Sequence, residues 1–465
     1  MCRSHVAFVH GLLERADNSL AKIFVLIGLP AVLFFIFFVP PFQVPDEFAQ
    51  LLRADQISFG VMVGTRLDAT RSGGYAATSY RLLAEIFATQ AANARAATAR
   101  LAQATGIPLT NKREFFSFPN TVQYGPIAYA PQAIALVLAR ILGISALASF
   151  YLARLLNGAT ALLIGFLSIR TAGRGRYLIF SFLTMPTALF FMGSLSQDAL
   201  LLTGSALFVS IVSSIVSKDQ PPGAAAYIAL VGLLVVLAWG RLPYVMLCVV
   251  FLLPPFHNMQ WRGNTFHRWP AGAAIALAIG LATFWAWIVN TVHIELSAAA
   301  SVQKQLSFLV SHLQLIPEIA INSLHGTNFW FAVGGIFGSL GVFNSRLPLL
   351  FYPIALTGAV AAAALETVQE DKLKPADRIV VAVGLLLGIG SIFLALYVTD
   401  NPVGQLSIAG IQGRYLIPFV FGAAFILPTA SVDVRKSIRQ LVLLLPLIAL
   451  INFGFSIEKI MMRYY

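Results

Sequence analysis

Apolar stretches recur along this chain at a length that fixes most of what it can become. They run from Lys22 to Val39, Ser149 to Ile169, Tyr177 to Gly193, Ala199 to Val216, Ala224 to Ala238 and Tyr244 to Phe256. They continue from Trp269 to Val292, Leu347 to Leu365, Ile379 to Val398, Tyr415 to Pro428 and Leu441 to Phe455. A helix crosses bilayer hydrocarbon with about 20 apolar residues, fewer when neighbours shield it. Backbone in lipid must also satisfy its own hydrogen bonds, which favours helices. The reading is therefore an all-α polytopic membrane protein with about 11 transmembrane helices. Only 11% of the residues are charged, against about 25% in soluble domains. The net charge of +12 does not indicate nucleic acid, because most basic residues lie in short loops between apolar runs, where they set orientation. Cys2 and Cys248 are the only cysteines, which excludes a disulfide framework and supplies no redox or zinc pattern.

Charge counting then orients the chain. With Arg3, Arg15 and Lys22 in the cytoplasm, the inside loops carry Arg170, Arg174 and Arg176, then Lys218, then Arg262 and Arg268. The remaining inside loops carry Lys372, Lys374 and Arg378, then Arg435, Lys436 and Arg439. The short outer connections hold isolated cations, notably Arg241 and Arg414. The first apolar run is too long, and its exit too rich in proline and acid, for a cleaved signal peptide. The chain reads as a single integral membrane domain, 1–465, with a first outer loop at 40–148 and a second outer segment at 293–346. Tyr124 to Gly143 would break the charge pattern if it crossed, so it reads as an interfacial or re-entrant helix. Tyr80 to Ala104, with Arg81, Arg95 and Arg100, reads as a helix along the outer leaflet. Gly73-Gly74 and Gly106-Ile107-Pro108 read as turns. Gln305 to Ile321 is amphipathic, and the glycine-rich run from Gly334 to Gly341 permits close backbone approach to a ligand or a helix.

Four polar clusters fall on the outer side. The first, Asp46-Glu47 with Arg53 beyond it, follows Pro40, Pro41 and Pro45, which end the first span. The second is Ser194 to Asp198; Asp198 is the lone acid between Glu114 and Asp219, and can alternatively serve as a helix N-cap. The third is Gly240-Arg241-Leu242-Pro243-Tyr244. The fourth is Gly410 to Tyr415, where backbone N–H groups at a helix start and a guanidinium suit a phosphate. No Asp, Glu or Lys lies near a span midplane, so the pattern of ion-coupled transporters is missing. A boundary site with carboxylates and arginines suits a sugar carried on polyprenyl phosphate. A base takes the acceptor hydroxyl proton, and cations hold the departing phosphate. No nucleotide-binding fingerprint is present in the sequence.

The stretch Pro45-Asp46-Glu47-Phe48-Ala49-Gln50, continuing Arg53 to Gly60, resembles the opening signature of a large bacterial family of predicted membrane proteins, domain of unknown function 2142. Pro186 with Ser194 to Leu200, the Pro243-Tyr244 step, and Ile408 to Pro418 containing Gln412-Gly413-Arg414-Tyr415 resemble its later signatures. That family is in turn similar to GT-C glycosyltransferases. The resemblance implies an acidic pair and interfacial helices in the first outer loop, and a further Asp in the second. Gln50 stands where histidine is usual, and Arg241 where lysine is usual, replacing a point charge with a fork.

The resulting expectation is a GT-C-like glycosyltransferase of the bacterial inner membrane, with its N-terminus cytoplasmic and its site periplasmic. It would move a sugar from a polyprenyl-phosphate donor to an envelope glycan or lipid-linked acceptor, among membrane lipids and without nucleic acid. Asp46 is the expected general base, with Glu47 assisting it or binding a metal and Asp198 orienting the acceptor or a cation. Arg414 and Arg241, with Gln412, Gly413 and Tyr415, would hold the donor phosphate. Arg53, Gln50, Tyr124 and Tyr244 would contact substrate. A divalent cation is the one cofactor considered, with His293, His312 and His325 as further outer ligands. The alternatives are a flippase or transporter of lipid-linked glycans and a non-catalytic envelope-assembly scaffold.

Overall fold

A computed structural model describes residues 2–88, 97–218, 220–261, 264–267, 269–295, 300–342, 345–368, 372–430 and 437–465, with side chains from residue 19 onward. Arg95 and the middle of the expected 80–104 helix lie outside the described residues, as do Arg262, Arg268, Arg435 and Lys436.

Among the described residues, six helices are long and apolar enough to cross a membrane on their own: Ser19–Phe38, Ala146–Thr171, Asp198–Lys218, Trp269–Val289, Pro375–Asp400 and Arg439–Tyr464. The first belongs to α1 (Cys2–Phe38). The other expected spans are shorter or broken. The third divides into α7 (Arg176–Leu183) and α8 (Pro186–Met192), because Pro186 cannot extend the preceding helix. The sixth is a tight 3₁₀ segment, Leu242–Leu252, and the tenth a short helix, Ile417–Gly422. Among the described residues, length and composition thus support a multi-pass helical bundle in which six helices are long enough to cross alone.

The first outer loop folds as a compact cap. It contains α2 (Glu47–Ser58), α3 (Ser79–Ala88), α4 (Ala97–Ala104) and α5 (Ala130–Ile141), the last running into α6 (Ala146–Thr171). Between them lies a three-stranded antiparallel sheet of β1 (Thr65–Arg66), β2 (Ser72–Ala77) and β3 (Arg113–Ser117). The all-α expectation misses this sheet, and Gly73-Gly74 is strand, not turn. A Cβ on Gly73 would sit 1.9 Å from the Phe116 carbonyl oxygen, so glycine is required for the strands to meet. Arg81, expected at the leaflet, instead pairs with Glu114 at 2.6 Å.

The expected interfacial segment is helical. One face of α5, with Gln132, Ala135, Leu136 and Ala139, is buried against the loop and α6. Ile134, Leu138, Ile141 and Leu142 stay exposed on the other, an apolar stripe suited to lipid. The cap is tied to α10 (Ala224–Gly240) and α11 (Trp269–Val289). Gly125 N–H donates to the Trp239 carbonyl at 2.9 Å, and Trp285 Nε1 donates to the Gln123 carbonyl at 3.0 Å. Arg66 reaches the His293 carbonyl at 3.2 Å. At the far end of the bundle, Glu366 accepts from the backbone N–H of Gly175, Tyr177 and Leu178, closing the start of α7.

Glu47 joins cap to bundle. Its carboxylate receives Arg154 of α6 through Nε at 2.9 Å and Nη2 at 2.7 Å, with both side chains fully buried. Arg154 also donates to the carbonyls of Ile36, Val39 and Pro40, where α1 ends and its own last acceptors are open. Glu47 further accepts from the N–H of Phe42 and Leu195. One ion pair thus fixes the end of α1, the start of α2 and the loop before α9 (Asp198–Lys218). Breaking a buried pair by removing one partner costs about 3–5 kcal/mol. Glu47→Gln is expected to lower the thermal unfolding midpoint in detergent far more than Asp46→Asn, which alters an exposed neighbour. Equal midpoints would remove Glu47 from this structural role.

Candidate functional site

Asp198 opens α9 and is buried. The turn before it is held from below. Asn157 Nδ2 donates to the carbonyls of Ser194 at 2.7 Å and Ser196 at 3.1 Å, and Gln132 Nε2 to that of Leu195 at 3.2 Å. Asp198 N–H donates to Ser196 Oγ at 3.2 Å, which leaves its carboxylate to face the site. The N-cap alternative is not what this side chain does, since its oxygens meet two guanidiniums. Arg241 Nη2 donates to Oδ1 at 2.8 Å. Arg414 Nε lies 2.9 Å from Oδ2, an ion contact that is angled away from an aligned hydrogen bond.

Arg241 follows the last turn of α10 in extended backbone, and Pro243 then starts the 3₁₀ segment. Its guanidinium lies 3.7 Å above the Tyr415 ring, a contact worth about 0.5–2 kcal/mol. Arg414 sits in the 3₁₀ turn Gly413–Tyr415, over the Phe191 ring at 4.5 Å. It donates to Tyr415 Oη at 3.3 Å. The turn is pinned by Tyr244, whose hydroxyl donates to the Tyr415 carbonyl at 3.2 Å.

Asp46 stands at the rim. Its backbone is left-handed, with φ 61°, a region that Asp tolerates better than most residues because its short polar side chain bonds locally. That conformation turns the carboxylate out of α2 and toward the fourth cluster. Asn120 donates to Oδ1 at 2.8 Å, and Arg414 Nη2 to Oδ2 at 3.3 Å. Asp46, Asp198, Arg241 and Arg414, from four separate stretches, therefore form one cluster, with Asp198 sealed and Asp46 open to solvent. Tyr124 lines it, within electrostatic range of Arg241, Tyr415, Asp46 and Asp198.

The sequence did not single out Asp400, the last residue of the helix Pro375–Asp400. Its exposed carboxylate takes the Thr399 hydroxyl at 2.8 Å and lies within electrostatic range of His293, Arg241 and Asp46. Asn401 holds this corner, exchanging hydrogen bonds with the backbone of Ala409 and so bringing the Gly410–Tyr415 strand of chain back to the site. The readable signal was an acid closing an apolar run, which is easily taken for the edge of a span. Asn120, half-buried and set in an otherwise ordinary loop sequence, carried no such signal.

Several expected participants do other work. Glu47 is turned inward onto Arg154 and has no place beside Asp46 in chemistry or metal binding. Arg53 is fully buried, donating to Gln56 Oε1, the Met62 carbonyl and the Tyr124 carbonyl, so it braces the cap. Gln50 is buried and accepts from the Tyr129 hydroxyl. Gly413 is not a phosphate cradle. A Cβ there would lie 2.1 Å from Ile336 N and 2.5 Å from the Ala332 carbonyl oxygen, so the glycine lets two backbones touch. Its partner is the Gly335–Ile336 peptide, which is how the glycine-rich run is used. Gln412 leaves a buried Oε1, and Arg241 a buried Nε, without hydrogen-bond partners among the described residues.

The three histidines do not gather. His312 stacks on Phe308 at 4.6 Å and His325 Nδ1 meets the Ile321 carbonyl at 2.6 Å, while His293 stands near Asp400. Among the described residues no group of three or more His, Cys, Asp or Glu is placed to hold a metal ion. The donor set at the cluster, carboxylates already matched to guanidiniums, does not fit a divalent cation, whose ligands must be free oxygens.

A family model described as "Predicted membrane protein (DUF2142)" matches residues 29–423, and the chain belongs to that family. No curated protein and no solved structure matches it. The matched range includes every residue of the cluster. Because Gly413 positions Arg414 through backbone contact, Gly413→Ala is expected to lower the unfolding midpoint and the yield of folded protein. Gly280→Ala, at a position with nothing within 4 Å of the added carbon, is expected to do neither. Equal behaviour of the two variants would mean that the Gly413–Gly335 contact is not required.

Proposed function

We propose that this DUF2142 protein is a GT-C-like membrane glycosyltransferase. It takes a sugar from a polyprenyl-phosphate donor and places it on an envelope glycan or lipid-linked acceptor. In this reading the eleven apolar runs are eleven spans, including the broken third and the short sixth and tenth. The N-terminus is cytoplasmic, and the Asp46 cluster faces the periplasm of a bacterial inner membrane, following the basic loops at the opposite helix ends.

One observation carries the reading: two guanidiniums, Arg241 and Arg414, share the sealed carboxylate of Asp198 beneath the open carboxylate of Asp46. An arginine pair fixed by a buried acid is preorganised for a phosphate, since its charge and direction are set before the ligand arrives. Arg241 Nε, without a hydrogen-bond partner among the described residues, can donate to the phosphate, and Gln412 Oε1, likewise without one, can accept from a sugar hydroxyl. Asp46 is exposed and bonded to Asn120, placed to take the acceptor hydroxyl proton as that oxygen attacks the anomeric carbon. The bond from that carbon to the phosphate oxygen breaks, and polyprenyl phosphate leaves held by the arginines. Asp198 keeps the arginines in register, and Tyr124, Tyr244 and Tyr415 wall the site. Asp400, within electrostatic range of Asp46 and Arg241, supplies a carboxylate that can accept hydrogen bonds from sugar hydroxyls.

Asp46→Asn is expected to insert and fold normally yet lose about 10²–10⁴-fold in turnover, measured as release of polyprenyl phosphate from a sugar-charged donor. Turnover near wild type would exclude Asp46 as the base. Arg414→Lys is expected to raise the donor KM, because a fork is replaced by a point charge. An unchanged KM would leave Arg414 a purely structural partner of Asp198.

A further inference from the structure

The amphipathic stretch of the second outer segment folds as two short helices, α12 (Val302–Ser311) and α13 (Ile316–Ser323), joined by a tight turn at Leu313–Leu315. A helix at a protein surface needs two faces, one toward the core and one toward water. These helices each carry three. On α12, Gln305 and Phe308 turn inward, and Gln303, Ser307 and Ser311 form a polar strip at intervals of four. Leu306 and Val310, also four apart, form a third strip that is 44% and 73% exposed. On α13, Ile319 and Ser323 are buried, and Glu318 and Asn322 form the polar strip. Ile316, Ala320 and Leu324 form an exposed apolar strip, with Ile321 alongside it. The exposed cation and acid of the pair, Lys304 and Glu318, lie off the apolar strips.

We propose that α12 and α13 lie in the plane of the membrane, at the headgroup–acyl boundary of the leaflet nearest the Asp46 cluster, and that phospholipid covers their exposed apolar strips. Two observations choose lipid as the occupant. The first is depth. Ile319 packs with Tyr397, and Phe308 and Leu309 join the same core as Phe393. Tyr397 and Phe393 precede Asp400 by one and two turns of the helix Pro375–Asp400, about 5–10 Å along its axis. In-plane helices seat their apolar side about 5–10 Å into the boundary. The second is continuity. Ile316 and Ala320 border one apolar recess together with Leu386 and Leu394, which are exposed on that long helix. The strip of α13 therefore runs into a surface that a spanning helix presents to lipid. The inference needs only that the helix Pro375–Asp400 crosses the membrane, and is independent of the transferase reading. It also ties the bilayer to the cluster. Gly404 N–H donates to Gln305 Oε1 at 2.9 Å, Ile408 N–H to Ser323 Oγ at 2.8 Å, and Asn322 Nδ2 to the Leu406 carbonyl at 3.1 Å. Ile408 and Ile411 share a core with Ile319. The chain that leads to Arg414 is thus fastened to helices seated in lipid.

The test uses full-length protein in phosphatidylcholine nanodiscs, since strips without charge need no anionic lipid. Single nitroxide labels are placed by Val310→Cys, Ile321→Cys and Ser307→Cys, with Cys2→Ser and Cys248→Ala as background. Power-saturation measurements are expected to show oxygen reaching the Val310 and Ile321 labels better than a water-soluble nickel chelate, at about 5–10 Å below the phosphates, with the order reversed at Ser307. Nickel access at all three positions would put the helices in water and overturn the proposal. Poor access of both reagents to the Val310 and Ile321 labels, with spin coupling between copies, would make the strips a self-association face and overturn it equally. A second measurement needs no substitution. Phosphatidylcholine with a photoreactive acyl chain is expected to crosslink to peptides within residues 302–324 of the unaltered protein. Adducts on the helix Pro375–Asp400 without any on residues 302–324 would also overturn the proposal.

Discussion

The buried pair between Glu47 and Arg154 is the interaction on which the rest of the outer end depends. A charge within a membrane bundle is tolerated only when it is paired and its remaining donors are used. Arg154 satisfies this by placing two nitrogens on Glu47 and the rest on the carbonyls where α1 ends. The consequence reaches beyond stability. Glu47 also receives the N–H of Leu195, three residues before Asp198, so the same carboxylate that starts α2 sets the entry to α9. Asp46 and Asp198 are thereby fixed relative to each other from below.

Above that strut the electrostatics are tight. Arg241 and Arg414 converge on Asp198 despite their like charge, and such an arrangement persists only because Asp198 lies between them and Asp46 and Asp400 lie near. Cation–π contacts with Tyr415 and Phe191 offset part of the lost hydration. In the reading advanced above, a phosphate exchanges one set of anionic contacts for another and the guanidiniums need little rearrangement. Low reorganisation is what makes such a site effective.

Much of this was legible in the primary structure. The apolar runs are helical, several of them short or broken, and one residue from each of the four polar clusters joins a single ion-pair group. What stayed hidden depended on side-chain direction. Asp46 and Glu47 are adjacent, yet the left-handed turn at Asp46 sends one outward and the other into the bundle. Arg53 and Gln50 share α2 with Glu47 and are buried with it, a distinction that spacing from an acidic pair does not give. Arg154 was a lone cation inside an apolar run and could have been matched to an acid. The small sheet was missed because Ser72-Gly73-Gly74 reads as a turn until Phe116 is seen against it.

The most direct trial of the account is to locate the phosphate. Cryo-electron microscopy of the protein in nanodiscs with polyprenyl phosphate should place the phosphate within hydrogen-bonding distance of both Arg241 and Arg414, beside Asp46. A phosphate bound elsewhere, with both guanidiniums still closed on Asp198, would contradict the assignment of this cluster as the site of lipid-phosphate chemistry.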